Sequence, residues 1–501
     1  MSQISHKLLI GLLSVTVMAG TLFSQTLGVR AETAEERIAL HREMEVQSNL
    51  IEGWPEGPIV SAESAILMEA ESGTILYAKN IHKQEYPAST TKILTTLLAT
   101  ELCQLDEIVT FSHDAVFDNP PGSSGIAMDV GQELTMEQCL NAILIRSANE
   151  VAFAVAEHIT GTTDWSVFAD IMNERAKELG ALNTHFANPN GLPDENHYTT
   201  AYDMAMIGRG FFANKMLCDI SITRRMEIPA SDKLPEAKIE ISSMQIIPGG
   251  KYAYEYLVGC KTGYTVAARS SLVSCAEKDG LKLICVVMRD ESPLQYEDTI
   301  SLFNYGFGNF RKYNVSQTEK KYDVTFSDTV YSVNDVFGSS KPLLTLNKDD
   351  CIILPKSAEI GDTESTISYD TPDPGQAAVI SYTYKGVDVG RVRLLFAADD
   401  NIPYEFDAVP EDTLTEVTGN GVVVAQTAAP GEEETDSFPL TSVLLIAGIA
   451  AVALILLFLL LRLRAGRNYH TFTPKSNRRT WRRRRRRGFF RRRNKFRDYD
   501  F

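Results

Sequence analysis

A chain of 501 residues with 44% hydrophobic content is long enough for one large folded unit and a smaller one, which excludes a wholly disordered or fibrous protein. The net charge of −16 hides an asymmetry: residues 462–501 hold 17 of the 49 Lys and Arg but only 2 of the 65 Asp and Glu. The body is strongly acidic and the last forty residues strongly basic, and no nucleic-acid partner is expected. Residues 1–31 read as a signal peptide, with Lys7, an apolar run from Leu8 to Phe23, and Val29 and Ala31 before Glu32. An uncleaved N-terminal anchor is the alternative, opposed by a run that is short against roughly 20 residues per span.

Residues 32–60 form an acidic lead-in, helical over 33–49. The segments SAILMEA and TILYAKN, joined by Glu71-Ser72-Gly73, predict a hairpin. A mostly helical stretch follows: residues 90–102 are rich in helix formers, Thr135 and Gln138 predict a capping box, and a further helix is expected over 150–158. Residues 258–264, 270–276 and 281–288 predict three strands, the last two linked by Lys278-Asp279-Gly280. Strands at both ends of a helical middle predict an α/β (α+β) sandwich over residues 61–312, its N-terminal hairpin joined to the C-terminal meander in one antiparallel sheet. Residues 315–400, with ISYTY, a Lys385-Gly386 turn and VDVGRVRLLF, predict a small all-β domain.

Residues 401–438 carry nine acidic and no basic side chains and read as a solvated linker. Residues 439–461 contain no charge, and 23 residues at about 1.5 Å each cover the roughly 30 Å hydrocarbon core, so a transmembrane helix is expected. Arg462, Arg464 and Arg467 follow at once, placing residues 462–501 in the cytoplasm, on anionic lipids, and the rest outside the cell membrane. A buried core helix is the alternative, opposed by the six arginines at 482–487.

Seven cysteines (103, 139, 218, 260, 275, 285 and 351) show no C-x-x-C and no metal-type spacing, and Cys260, Cys275 and Cys285 fit neighbouring strands as small apolar residues. The eight histidines form no H-E-x-x-H, so neither a metal nor a cofactor is expected for the chemistry.

Three short motifs can carry chemistry. Ser89-Thr90-Thr91-Lys92 opens a helix, and its i,i+3 spacing puts the hydroxyl and the amine on one face, where a desolvated lysine serves as base. The helix N-terminus adds a field that favours an alkoxide and N–H groups for an oxyanion. Ser147-Ala148-Asn149 lies between two helices, and Lys261-Thr262-Gly263-Tyr264-Thr265 lies in a strand where Gly263 lets a substrate backbone approach. Each alone is weak: a cap and a solvated lysine, an interhelix loop, a strand followed by a turn.

Together, in this order, they resemble the penicillin-recognising serine enzymes. YPASTTK, NPNGLPDENHYTTAYDMA and GCKTGYT resemble the low-molecular-mass penicillin-binding proteins that act as serine-type D-alanyl-D-alanine carboxypeptidases on peptidoglycan stem peptides, with β-lactams as inhibitors. The resemblance implies a penicillin-binding-protein/β-lactamase-like domain with Ser89 as nucleophile, Lys92 as its base, Ser147 relaying a proton to the leaving amine, and Asn149 orienting Lys92. It further implies that Lys261 and Thr262 hold the substrate carboxylate and that the N–H groups of Ser89 and Tyr264 form the oxyanion hole. Arg289 or Arg269 would either assist the carboxylate or form surface ion pairs. A class A β-lactamase would need E-x-x-L-N before K-T-G, and ELGALN, from Glu178 to Asn183, is one residue out of register. A non-catalytic binding module is the other rival.

Overall fold

The computed structural model describes residues 32–318, 344–370, 373 and 375–396. The expected signal peptide, acidic linker, spanning helix and basic tail lie outside the described residues. Among the described residues no helix is long and apolar enough to cross a membrane.

The chain opens with α1 (Ala34–Glu43), started by a reciprocal capping box between Thr33 and Glu36. This helix is shorter than the lead-in reading, and a 3-10 turn at Gln47–Leu50 completes the segment. The hairpin is β1 (Ser64–Glu69) and β2 (Ile75–Lys79). The helical middle contains α2 (Lys92–Leu102), α3 (Met136–Arg146), α4 (Asn149–Thr160), α5 (Trp165–Glu178), α6 (Ala201–Ala213) and α7 (Lys215–Ser221). The meander is β3 (Leu257–Thr265), β4 (Arg269–Lys278) and β5 (Leu281–Asp290), followed by α8 (Leu294–Asn309).

The five strands form one antiparallel sheet in the order β2-β1-β5-β4-β3. The hairpin therefore joins the meander, with Ile66 opposite Val286. The β4–β5 turn places Asp279 (φ 53°) and Gly280 (φ 77°) in the left-handed region, a two-residue turn whose twist matches that of the strands.

Both faces of the sheet are covered. Alternate side chains point to opposite sides, so Ile66, Ile284 and Val286 pack under the helical middle, while Leu67, Cys285 and Val287 pack with Phe303 of α8. Helix α2 runs through the first core, with residues 92–99 all buried. All seven cysteines are free; Cys260, Cys275 and Cys285 are buried in β3, β4 and β5.

Beyond α8, β6 (Phe310–Asn314) pairs with β8 (Cys351–Pro355), so β pairing starts before Val315. The second sheet joins β7 (Leu344–Leu346), β11 (Val387–Phe396), β10 (Gln376–Tyr384) and β9 (Glu364–Ser368) in that order.

Candidate active site

Ser89 stands in the one-turn 3-10 helix Ala88–Thr91 that leads into α2. The turn is held from two sides. Ala88 has a left-handed backbone (φ 48°), and Gly191 (φ 86°) packs so closely that a Cβ there would lie 1.8 Å from the Ala88 carbonyl oxygen. From the other side Gly263 of β3 brings the strand against the same turn, since a Cβ would stand 2.9 Å from Pro87 O and 3.1 Å from Ser89 N. Gly263, expected to let a substrate backbone approach, also lets β3 approach the protein's own Ser89 turn.

Lys92 is fully buried, and its Nζ lies 3.1 Å from Ser89 Oγ, 2.7 Å from Asn149 Oδ1 and 2.6 Å from the Asn190 carbonyl oxygen. Burial first, and the nearby Lys261 charge second, push its pKa well below the usual lysine range, with Glu150 opposing. A neutral amine has two N–H donors and one lone pair. The Asn149 and Asn190 oxygens only accept, so they take both donors and leave the lone pair for the Ser89 hydroxyl.

Ser147 ends α3 with a left-handed backbone (φ 58°, ψ 32°), strain of the kind concentrated at functional sites. Two residues later Asn149 begins α4, its N–H donating to the Ser124 carbonyl at 2.9 Å. Lys261 of β3 is 1% exposed and donates to Ser147 Oγ at 3.1 Å and to its neighbour's Thr262 carbonyl at 2.8 Å. Burial lowers the Lys261 pKa to about 8. Ser89, Ser147, Lys261, Thr262, Gly263 and Tyr264 line a cleft of about 560 Å³, and Tyr264 is 57% exposed.

Thr265 has another use: its hydroxyl accepts the Ala268 N–H at 3.0 Å and closes the turn into β4, outside the lining of the cleft. Arg289 pairs with Glu63 at 2.9 Å and Glu85 at 3.6 Å, and Arg269 approaches Glu291 at 3.9 Å, so both are engaged in ion pairs outside the cleft. Glu178 pairs with Arg175 at the surface.

Sequence reading missed the supporting loop. His197, buried with its pKa lowered to about 3, is neutral; its Nδ1 accepts the Ala187 N–H at 3.0 Å, so Nε2 carries the proton and donates to Thr91 Oγ1 at 2.8 Å. Asn188 Oδ1 accepts the Gly191 N–H at 2.7 Å, which turns the Asn190 carbonyl toward Lys92. Glu150 is buried and accepts the Ile126 N–H at 2.6 Å, fixing the segment that contributes Ser124. The sequence signal available was the N-P-N-G turn.

A serine at the head of a buried helix, a lysine three residues on, and a second Ser–Lys pair made by Ser147 at the end of α3 and Lys261 on the facing strand define a serine enzyme of the acyl-transfer class. Residues 53–292 match the D-alanyl-D-alanine carboxypeptidase family, peptidase S11. D-alanyl-D-alanine carboxypeptidase DacF of Bacillus subtilis is 32% identical over 273 residues, 52% of this chain and 67% of that protein. DacA of Haemophilus influenzae is 29% identical over 53% of this chain and 66% of its own length, so about a third of each relative lies outside the match. The fold is shared with penicillin binding protein 5 from Haemophilus influenzae, at TM-score 0.54 and 23% identity over 68% of this chain and 98% of that one. The chain belongs to this family, whose members are serine-type hydrolases.

Proposed function

We propose that this chain removes the terminal D-alanine from peptidoglycan stem pentapeptides through an acyl-enzyme on Ser89. The observation that carries the reading is the three-contact setting of Lys92, which leaves an amine lone pair for the Ser89 proton. Ser89 Oγ attacks the carbonyl carbon of the penultimate D-alanine as its proton passes to Lys92. The N–H groups of Ser89 and Tyr264 receive the oxyanion. Ser147, whose oxygen accepts from Lys261, is free to donate its own proton to the departing amine and to recover one from Lys92. Lys261, while charged, and Thr262 hold the terminal carboxylate. Water then cleaves the ester, returning Ser89 and releasing the shortened stem.

The leader at residues 1–31, the apolar 439–461 segment and the basic tail support an exported catalytic domain tethered to the membrane, with the tail on the cytoplasmic leaflet. Hydrolysis of diacetyl-Lys-D-Ala-D-Ala by the purified chain tests the activity. A single penicillin adduct on the Ser89 peptide, absent in Ser89→Ala, tests the nucleophile; a wild-type chain that binds penicillin yet releases no D-alanine would leave only a binding module.

A further inference from the structure

Far from the cleft, Cys103, Glu107 and His158 each offer one ligand atom, and these atoms lie within 4.8 Å of one another. They come from the end of α2, the loop after it and the last turn of α4. His158 Nε2 is 2.8 Å from Glu107 Oε2. Glu107 Oε1 accepts the Gln104 N–H at 2.6 Å, which fixes the carboxylate from behind.

The loop itself is clamped. The Cys103 N–H donates to the Ala99 carbonyl at 3.1 Å, and the Met136 and Glu137 N–H groups donate to the carbonyls of Glu107 and Leu105 at 2.8 and 3.0 Å. Side-chain exposure of 38% for Glu107 and 24% for His158 leaves the group open to an arriving ion.

We propose that Cys103, Glu107 and His158 bind a zinc ion, with water in the fourth position. One sulfur, one imidazole and one carboxylate form a donor set suited to zinc, and ligand atoms sharing a tetrahedral zinc lie about 3.3–3.7 Å apart. The observed spacing reaches that range by small side-chain adjustments, opening the His158–Glu107 contact and closing on Cys103. No spacing motif announces the set, because 51 residues separate Glu107 from His158.

The position gives the ion a structural role. Helices α2 and α4 start at Lys92 and Asn149, joined by the 2.7 Å hydrogen bond, and end at Cys103 and beside His158. A metal at the far end ties the same two helices together roughly 15 Å from the catalytic amine. It fixes their register without touching substrate.

The test uses the full chain in detergent, stripped with chelator and titrated with cobalt(II). We expect one cobalt per chain, with a near-ultraviolet thiolate charge-transfer band and tetrahedral d–d bands that one equivalent of zinc removes. Zinc at a hundredfold excess over its Kd should raise Tm by roughly 5 °C. Cys103→Ser should lose the thiolate band and His158→Ala should weaken binding at least tenfold, both still labelling with penicillin as a check on folding. D-alanine release by the stripped chain should stay within about twofold of the zinc-loaded chain at a temperature well below Tm. The proposal fails if the wild-type chain shows no thiolate band, which leaves a plain His158–Glu107 ion pair. It fails equally if the band persists in Cys103→Ser, which places the metal on another thiol.

Discussion

Gly191 and Ala88 meet closely enough that a Cβ on the glycine would stand 1.8 Å from the alanine's carbonyl oxygen, and Ala88 immediately precedes Ser89, the proposed nucleophile. Because such contacts do not close below about 3 Å, Gly191→Ala must drive the Ser89 turn off by more than 1 Å or displace the loop that aims Asn190 at Lys92. A misplacement of that size is worth about a hundredfold in rate. We expect Gly191→Ala to lose about that factor in kcat/KM with its far-UV circular dichroism intact. A variant within threefold of wild type would show that the turn tolerates the shift.

A second buried pair supports the entry to β1. Asp298 Oδ2 accepts the N–H groups of Ser61 and Ala62 at 2.6 and 2.9 Å, and Asp290, in the same pocket, has its pKa raised by burial and then by the Asp298 charge. Asp290 is thus the protonated partner, donating to Asp298. An acid held protonated in the fold contributes stability at low pH that is lost as pH rises from about 4 toward the raised value. Asp290→Asn supplies an N–H donor in place of the acid and should flatten that decline without lowering Tm near neutrality. Asp298→Ala leaves two buried N–H groups without an acceptor, at about 1–3 kcal/mol each. Thermal unfolding from pH 5 to 9 separates these outcomes, and equal losses in the two variants would contradict the assignment.

The parts legible in the sequence were those whose chemistry is local. Ser89 and Lys92 are three residues apart on one turn, Ser147 and Asn149 flank one loop, and Lys261 to Tyr264 lie on one strand, so each motif could be read without knowing where the others fold. The hairpin and meander were legible because their turn residues stand between apolar runs. What stayed hidden acts through the backbone or across the fold. The Asn190 carbonyl has no side-chain signature, His197 reaches Thr91 over 106 positions, and Gly191 is needed only because Ala88 lies against it. Thr265 matched a motif while its hydroxyl serves the turn into β4. Sequence favoured ion pairing over carboxylate binding for Arg289 but could not name its partners, since Glu63 and Glu85 come from other segments.

A long-lived β-lactam adduct follows from what surrounds the ester. Acylation needs Ser89, Lys92, the oxyanion donors and Lys261 to hold the drug's carboxylate. Release needs an activated water, which class A β-lactamases obtain from an acid placed before K-T-G. Here Glu178 pairs with Arg175 at the surface, and Glu150 lines a separate cavity while accepting the Ile126 N–H. Each 1.4 kcal/mol of missing barrier lowering slows release about tenfold. The penicilloyl adduct on the purified chain should therefore persist for minutes or longer by mass spectrometry, and turnover of several penicillins per second would revive the β-lactamase reading.

The pH dependence of hydrolysis should be set by two lysines with opposite duties. In the proposed mechanism Lys92 works as a neutral base, and its strongly lowered pKa means that the active form is gained as pH rises through the acidic limb. Lys261 is proposed to work as a cation, and with its pKa lowered to about 8 by burial its charge is lost as pH rises past that point. The expected kcat/KM profile for D-alanine release is therefore a bell whose alkaline limb lies near pH 8. Bound substrate places a carboxylate beside Lys261 and raises its pKa, so the alkaline limb of kcat should lie higher than that of kcat/KM. Lys261→Arg provides the control, because a guanidinium stays charged through this range. That variant should lose overall activity through its different geometry, yet the alkaline limb of kcat/KM should move beyond pH 10. An alkaline limb that stays near pH 8 in Lys261→Arg would assign it to another group and remove Lys261 from carboxylate binding.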